Sequence, residues 1–422
     1  MTESSATAPE VGTEVAPLVV RTVRVQDPGP LLSLLPDRPD TTAWVRRGEG
    51  LVGWGTAALC RTAGAGRFAE ARDWWARLTR TVVVRDEVGE PGTGLVGFGS
   101  FGFADSPGDS VLAVPEVVVG RRGDTTWVTT TGVASIPAVP DLVAAAAPSP
   151  PRGVTFSDGA LSGTAWEGVV AEAVRRIDVG ELEKVVLARD LLATAADDVD
   201  VRWPLQRLAA GYPTCWTFHV AGLFGATPEI LVRRERGLVT SRVLAGTIRR
   251  TGDDARDLTL AATLARSSKD LEEHEYAVRS VADALAPHCS SMNVPEAPFV
   301  LHLPNVMHLA TDVNGVVHDL ASSLQLAESL HPSAAVGGTP TASATALIHE
   351  LEGMPRDRYA GPVGWMDASG DGEWGIALRS AMVTDSGVRL FAGCGIVASS
   401  DPEAELAESQ AKFVPVRDAL EA

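Results

Sequence analysis

Cysteine is scarce in this chain, and what there is does not pair. Cys60, Cys215, Cys289 and Cys394 are the only four, and none stands in a C-x-x-C spacing. A chain of 422 residues does not need covalent staples. The scarcity speaks against a disulfide framework and a zinc site, and predicts a reduced, cytoplasmic protein. Positive charge is scarce too: 36 Lys and Arg stand against 54 Asp and Glu, a formal net charge of −18. That balance opposes a phosphate-backbone footprint, so no nucleic-acid partner is expected. It does not exclude a small anionic ligand, because a local basic pocket or a bound metal reverses the field. No apolar run reaches the ~20 residues that cross a bilayer, so no membrane span is expected. Residues 1–16 lack a basic start followed by an apolar stretch, and their Ser, Thr, Ala and Glu content predicts a loose tail rather than a signal peptide. No repeat of 20–50 residues is visible, which removes solenoids and propellers.

What is present is a globular composition, 45% hydrophobic with mean hydropathy +0.08. A Pro- and Ala-rich stretch near 137–163, with Pro-Ser-Pro-Pro at 148–151, predicts a connection between a region 17–150 and a core 161–422. The first region reads as short strands at 43–46, 81–84, 94–103 and 111–119, with a helix over 68–79. The second alternates. Apolar residues at 169, 170, 173, 174 and 177 predict a helix over 166–177. A strand opens at Lys184, and a helix follows near 203–210. Strands are predicted at 215–220, 230–233, 239–243, 306–313, 363–366, 374–383 and 388–397. Residues 256–287 read as helical with a break near Ser267, and a last helix covers 401–420. Repeated strand-to-strand connections make the class α+β rather than a regular parallel array.

Two residues carry the most chemical information. Lys184 heads the run Val185-Val186-Leu187-Ala188, where loss of water favours a neutral amine. Glu229 ends Gly225-Ala226-Thr227-Pro228, a bend that aims a carboxylate into a cleft. Together they are a proton acceptor and a proton donor. Asp270, Glu273 and His274 share one helix face, as do Glu405, Glu408 and Lys412. From spacing alone, a solvated charged face and a surface ion pair are the favoured readings of those two groups. Arg379 is read within the strand 374–383, where it needs a carboxylate partner from the protein or from a ligand. His308 reads as a hydrogen-bonded core histidine and Cys394 as a small buried filler. The glycines of Phe391-Ala392-Gly393-Cys394-Gly395 let a ligand touch backbone.

In order along the chain stand Lys184-Val185-Val186-Leu187-Ala188-Arg189, Phe224-Gly225-Ala226-Thr227-Pro228-Glu229 and Leu244-Ala245-Gly246-Thr247. Next come Lys269-Asp270-Leu271-Glu272-Glu273-His274, His308-Leu309-Ala310-Thr311, His331-Pro332 and Gly337-Gly338-Thr339-Pro340. Gly372-Glu373-Trp374, Arg379, the Gly393–Gly395 run, Glu408 and Lys412 complete the series. From about Ser162 onward the chain resembles the chorismate-utilising enzymes, and among them the isochorismate synthases. The resemblance implies large, mostly antiparallel sheets packed with helices around a central cleft.

It also implies roles. Lys184 would activate a water for attack at C2 of chorismate, and Glu229 would protonate the departing C4 hydroxyl. Glu273 and Glu408 would hold Mg²⁺, with the metal on the ring carboxylate. Lys412, Gly246 and Thr247 would share that carboxylate, and His308 would line the substrate site. Arg379 and the Gly395 backbone would hold the enolpyruvyl carboxylate. Amine-adding relatives lack a lysine at the base position, so no glutamine amidotransferase subunit is expected, and a monomer is. Salicylate synthases, which go on to eliminate pyruvate, are the nearest rival. A non-catalytic chorismate-binding paralogue is the alternative from another class. The product would serve menaquinone or siderophore biosynthesis.

Overall fold

Short β-branched runs broken by Gly and Pro become strands, and the strands collect into two sheets. The computed structural model describes residues 17–105, 108–135 and 137–421; the tail expected over 1–16 lies outside them. Thirteen of the described strands form the first sheet. Its order runs Thr155–Asp158, Lys184–Thr194, Gly387–Ile396, Ser380–Thr384, Leu223–Thr227, Trp216–Val220, Thr41–Arg46, Glu49–Trp54, Val117–Arg122, Thr125–Val133, Leu18–Arg24 and Val83–Asp86, with Gly338–Thr339 beside Lys184. The second sheet runs Cys289–Asn293, Val306–Val317, Leu238–Arg249, Ile230–Glu235, Gly372–Ile376, Pro362–Asp367, Val96–Ser100, Asp109–Val114 and Ala58–Ala63, with Phe299–His302 on Val306–Val317. Pairing is antiparallel except between Leu18–Arg24 and Val83–Asp86. The α+β class with large antiparallel sheets and packed helices therefore holds.

Both sheets mix strands from either side of the 137–163 connection. Thr41–Arg46 pairs with Trp216–Val220, and Val96–Ser100 with Pro362–Asp367. The largest apolar cluster likewise joins Leu187 and Phe391 of the first sheet to Val232 and Trp374 of the second. Truncating one such fully buried side chain to alanine costs roughly 2–5 kcal/mol. Helices are placed by their caps. Ser267 accepts from Asp270 N at 3.3 Å and starts Ser268–Leu285, which is why the long helical stretch breaks there. Asp401 accepts from Ala404 N at 2.9 Å, Pro402 takes the first turn, and Pro402–Leu420 follows.

Several elements differ from the sequence expectation. The run 111–119 is two strands, Asp109–Val114 and Val117–Arg122, and they belong to different sheets. The run 374–383 is also two strands, Gly372–Ile376 and Ser380–Thr384, again in different sheets. Arg379 is thus not a strand residue; it sits in the crossover with φ +49. Hydrophobicity hides such a break, because apolar residues continue from Trp374 and Ile376 through Ala377 and Leu378 to Ala381 and Met382. Residues 81–84 divide between the end of the helix Arg67–Thr81 and the strand Val83–Asp86. Leu223–Thr227, Ser323–Leu330 and Thr341–Leu351 are additional elements. No described helix is long and apolar enough to cross a membrane.

Candidate active site

Twice the chain passes from one sheet to the other beside the same cavity. Glu229 lies on the crossover from Leu223–Thr227 to Ile230–Glu235, and Arg379 on that from Gly372–Ile376 to Ser380–Thr384. The two crossovers are tied together: Ile376 N donates to Glu229 O at 3.2 Å, and Ala226 N to Arg379 O at 3.2 Å. Both side chains face a cavity of about 140 Å³. Every site residue expected from the sequence lines that cavity: Lys184, Glu229, Gly246, Thr247, Glu273, His308, Arg379, Gly395, Glu408 and Lys412.

Lys184 enters from the first residue of its strand. It is buried, and its Nζ donates to Glu273 Oε1 at 2.6 Å. Gly395 permits this approach. A methyl group there would stand 3.0 Å from Glu273 Oε1 and 3.1 Å from Lys184 Cε. Glu229 is also buried, and burial pushes its carboxyl up to about 8 against a backbone hydrogen bond at Leu244 and the charges of Arg379, Lys184 and Lys412. Glu229 is therefore protonated at neutral pH.

The opposite wall comes from the second sheet. Leu238–Arg249 bulges between Ala245 and Thr247, with Gly246 at φ +77, a conformation glycine adopts without a Cβ penalty. Thr247 pairs across the ladder with His308, and Thr247 Oγ1 lies 3.0 Å from His308 Nδ1. The other nitrogen, His308 Nε2, is buried with no hydrogen-bond partner. Burial, with Arg379 and Lys412 nearby, holds this imidazole well below its ordinary pKa and hence neutral. His308 is a core histidine on one side and an open polar atom on the other.

Two helices bring the carboxylates. His274 docks Ser268–Leu285 onto the second sheet, with Nε2 2.7 Å from Thr311 Oγ1 and Nδ1 3.3 Å from Ala245 O. That contact turns Glu273 and Asp270 toward the cavity rather than to solvent. On Pro402–Leu420, Lys412 Nζ lies 2.6 Å from Glu408 Oε1 and donates to Gly393 O at 2.9 Å. Lys412 is buried and Glu408 half-buried, so the surface ion pair favoured by spacing is a partly interior one at the cavity wall. Glu405 also lines the cavity and accepts from Ser400 Oγ at 2.8 Å. Cys394 is fully buried, with its thiol 3.4 Å from the Glu405 carbonyl, as a filler would be.

Arg379 makes no hydrogen bond or ion pair to a protein carboxylate among the described residues. The charge of Arg379 acts on the buried Glu229 carboxyl across the cavity. Sequence reasoning missed Arg356 and Tyr359, which also line the cavity. They sit in the irregular segment after Thr341–Leu351, where no periodicity marks a site. A larger cavity of about 730 Å³ lies on the far side of Arg356 and Glu352. Lys184, Glu229 and Arg379 do not line it.

A cavity lined by Lys184, Glu229 and Arg379 where the chain crosses between two large antiparallel sheets places this protein among α+β folds with an interior polar cleft. Residues 19–421 match the chorismate binding enzyme family, and the chain belongs to it. Over 259 residues it is 36% identical to isochorismate synthase MenF of Bacillus subtilis (strain 168), covering 60% of this chain and 55% of that protein. Over 261 residues it is 38% identical to the salicylate biosynthesis isochorismate synthase of Pseudomonas aeruginosa, covering 61% and 55%. The chain thus spans about half the length of these curated relatives. Among solved structures it resembles a candidate 2,3-dihydroxybenzoate-specific isochorismate synthase, DhbC, from Bacillus anthracis. The TM-score is 0.76 at 30% identity, over 92% of this chain and 98% of the other.

Proposed function

We propose that this chain converts chorismate to isochorismate. The observation that carries the reading is a lysine and a neutral glutamic acid facing one cavity, with an uncommitted arginine between the sheets. Lys184 takes a proton from a water as its oxygen bonds to C2. The ring double bonds shift, the C4–O bond breaks, and Glu229 delivers its proton to the departing hydroxyl. Burial keeps that proton in place at neutral pH. Arg379 binds a carboxylate as a planar fork of donors, and the Gly395 backbone lies beside it. His308 Nε2 offers the cavity one more polar contact.

The donor set fits a hard divalent cation. Asp270, Glu273, Glu405 and Glu408 line the cavity with carboxylates. Ligand atoms of Glu405 and Glu408 fall within 4.8 Å of one another and of the Cys394 thiol, a group that does not include Glu273. Glu273 and Glu408 would hold Mg²⁺. When bound, it supplies positive charge to a substrate carboxylate. Lys412 and the Gly246–Thr247 bulge stand ready for the same carboxylate.

The test is product identification from chorismate and Mg²⁺ by chromatography, with pyruvate measured in the same tube. Isochorismate without stoichiometric pyruvate is expected. Stoichiometric pyruvate would make the protein a salicylate former, and no conversion would make it a binding paralogue. The menaquinone or siderophore assignment rests on the genes beside this one.

A further inference from the structure

The strand that carries Lys184 has an incomplete edge. On one side Lys184–Thr194 pairs with Gly387–Ile396 along its length. On the other, Gly338–Thr339 covers only Lys184 and Val185, and Thr155–Asp158 covers only 191–194. No described strand pairs between them, and the backbone groups of Val186 and Ala188 face the gap. An open edge buried in the interior leaves donors and acceptors that must be satisfied.

One ion pair does half of this. Arg356 Nη2 donates to Val186 O at 2.6 Å, and Glu352 Oε1 accepts from Ala188 N at 2.7 Å. Arg356 Nε donates to Glu352 Oε2 at 2.9 Å, and Nη1 donates to Val336 O at 2.8 Å. Gly337 O and Trp166 Nε1 complete the edge, accepting from Val186 N at 2.8 Å and donating to Ala188 O at 3.2 Å. The pair is 1% and 4% exposed, and the Arg356 guanidinium lies 4.2 Å from the Phe103 ring centroid.

Two facts separate this pair from an ordinary strut. Val186, Val336 and Arg356 line the same cavity as Lys184, and Val186 is two residues along the same face of the strand. On its other side the pair lines the cavity of about 730 Å³, so it forms a wall between two cavities. A buried ion pair is also a poor source of stability compared with apolar residues of the same volume. We propose that Glu352 and Arg356 are positioning residues: they replace a missing strand and fix the depth at which Lys184 enters the cavity. The inference rests on Lys184 acting as the base.

The test uses the full chain with Glu352→Leu and Arg356→Met together, which removes both charges and orphans neither. Hydrogen exchange of the 184–190 segment should speed up at least tenfold. With chorismate, kcat should fall on the order of 10²-fold while KM stays within about threefold, as misplacement of a reacting group by an ångström predicts. Unchanged exchange, or faster exchange with unchanged kcat, overturns the proposal. A fall in kcat with unchanged exchange also overturns it, since Arg356 would then act on substrate directly. Arg356→Lys keeps the charge but cannot span Val186 O and Val336 O, and is read by the same criteria if the double variant fails to fold. If the wild-type protein makes no isochorismate, the functional reading fails instead, and the exchange measurement still decides whether the pair holds the strand.

Discussion

Lys184 Nζ and Glu273 Oε1 lie 2.6 Å apart, which joins the proposed base to a proposed metal ligand. The lysine nitrogen and a divalent cation would compete for the same carboxylate. Lys184→Ala should therefore tighten Mg²⁺ binding while lowering turnover by roughly 10²–10⁴-fold, the usual contribution of a general base. Calorimetric titration of Mg²⁺ without substrate, beside kcat, checks both. A near-normal rate in this variant would remove Lys184 from the base role.

Glu229 sets the alkaline limit. Its carboxyl is raised from 4.5 to about 8 by burial, so kcat/KM should decline with unit slope as pH rises through about 8. The stability contribution has the same sign. It is fully present below the unfolded value and is lost as pH climbs through the folded one. Compared with Glu229→Gln, the wild-type melting temperature should fall between pH 5 and 8 and level off above about 8. Turnover of Glu229→Gln should be lower at every pH, and a variant with wild-type kcat would exclude Glu229 as the acid.

Arg379 stands in the crossover at φ +49 and makes no hydrogen bond or ion pair to a carboxylate among the described residues. Arg379→Lys keeps a charge but loses the planar fork. KM for chorismate should rise about 10–100-fold, in line with a charge-assisted bond of about 1.5–3 kcal/mol. An unchanged KM would place the enolpyruvyl carboxylate elsewhere.

Gly395 has room for hydrogen and little more. In Gly395→Ala the added methyl meets Lys184 Cε and the Glu273 carboxylate at 3.0–3.1 Å. Turnover should drop by at least an order of magnitude with the fold kept, because the flexible side chains give way rather than the backbone. Circular dichroism and kcat together check this, and full activity would show that the contact is not critical.

Glu408 is proposed to bind the metal and is ion-paired with Lys412. Glu408→Gln should weaken Mg²⁺ binding, and chelation of the wild-type protein should abolish turnover. Metal-independent conversion would remove Mg²⁺ from the reaction.

Much of the site was legible because polar residues in apolar settings stand out. Lys184 before Val185-Val186-Leu187 and Glu229 behind Pro228 are visible as departures from pattern. The acid-bearing helices were not legible from spacing, since Glu273 and Glu408 have the same periodicity as surface residues. Arg356 and Tyr359 were not legible at all, because they lie in irregular chain whose position depends on what packs around it.

By itself, the sequence determined the α+β alternation, the break near Ser267, the last helix and the order of the family motifs. Those features are local: propensity, period and a few neighbouring residues decide them. Only the tertiary structure decided which side chains meet. Glu229 and Arg379 are 150 positions apart, and their meeting depends on two crossovers that bond to each other between the sheets. Burial, which raises the Glu229 carboxyl and takes Lys412 out of water, is likewise a property of the packed assembly. No residue carries it alone, because desolvation is set by what the rest of the chain places around it.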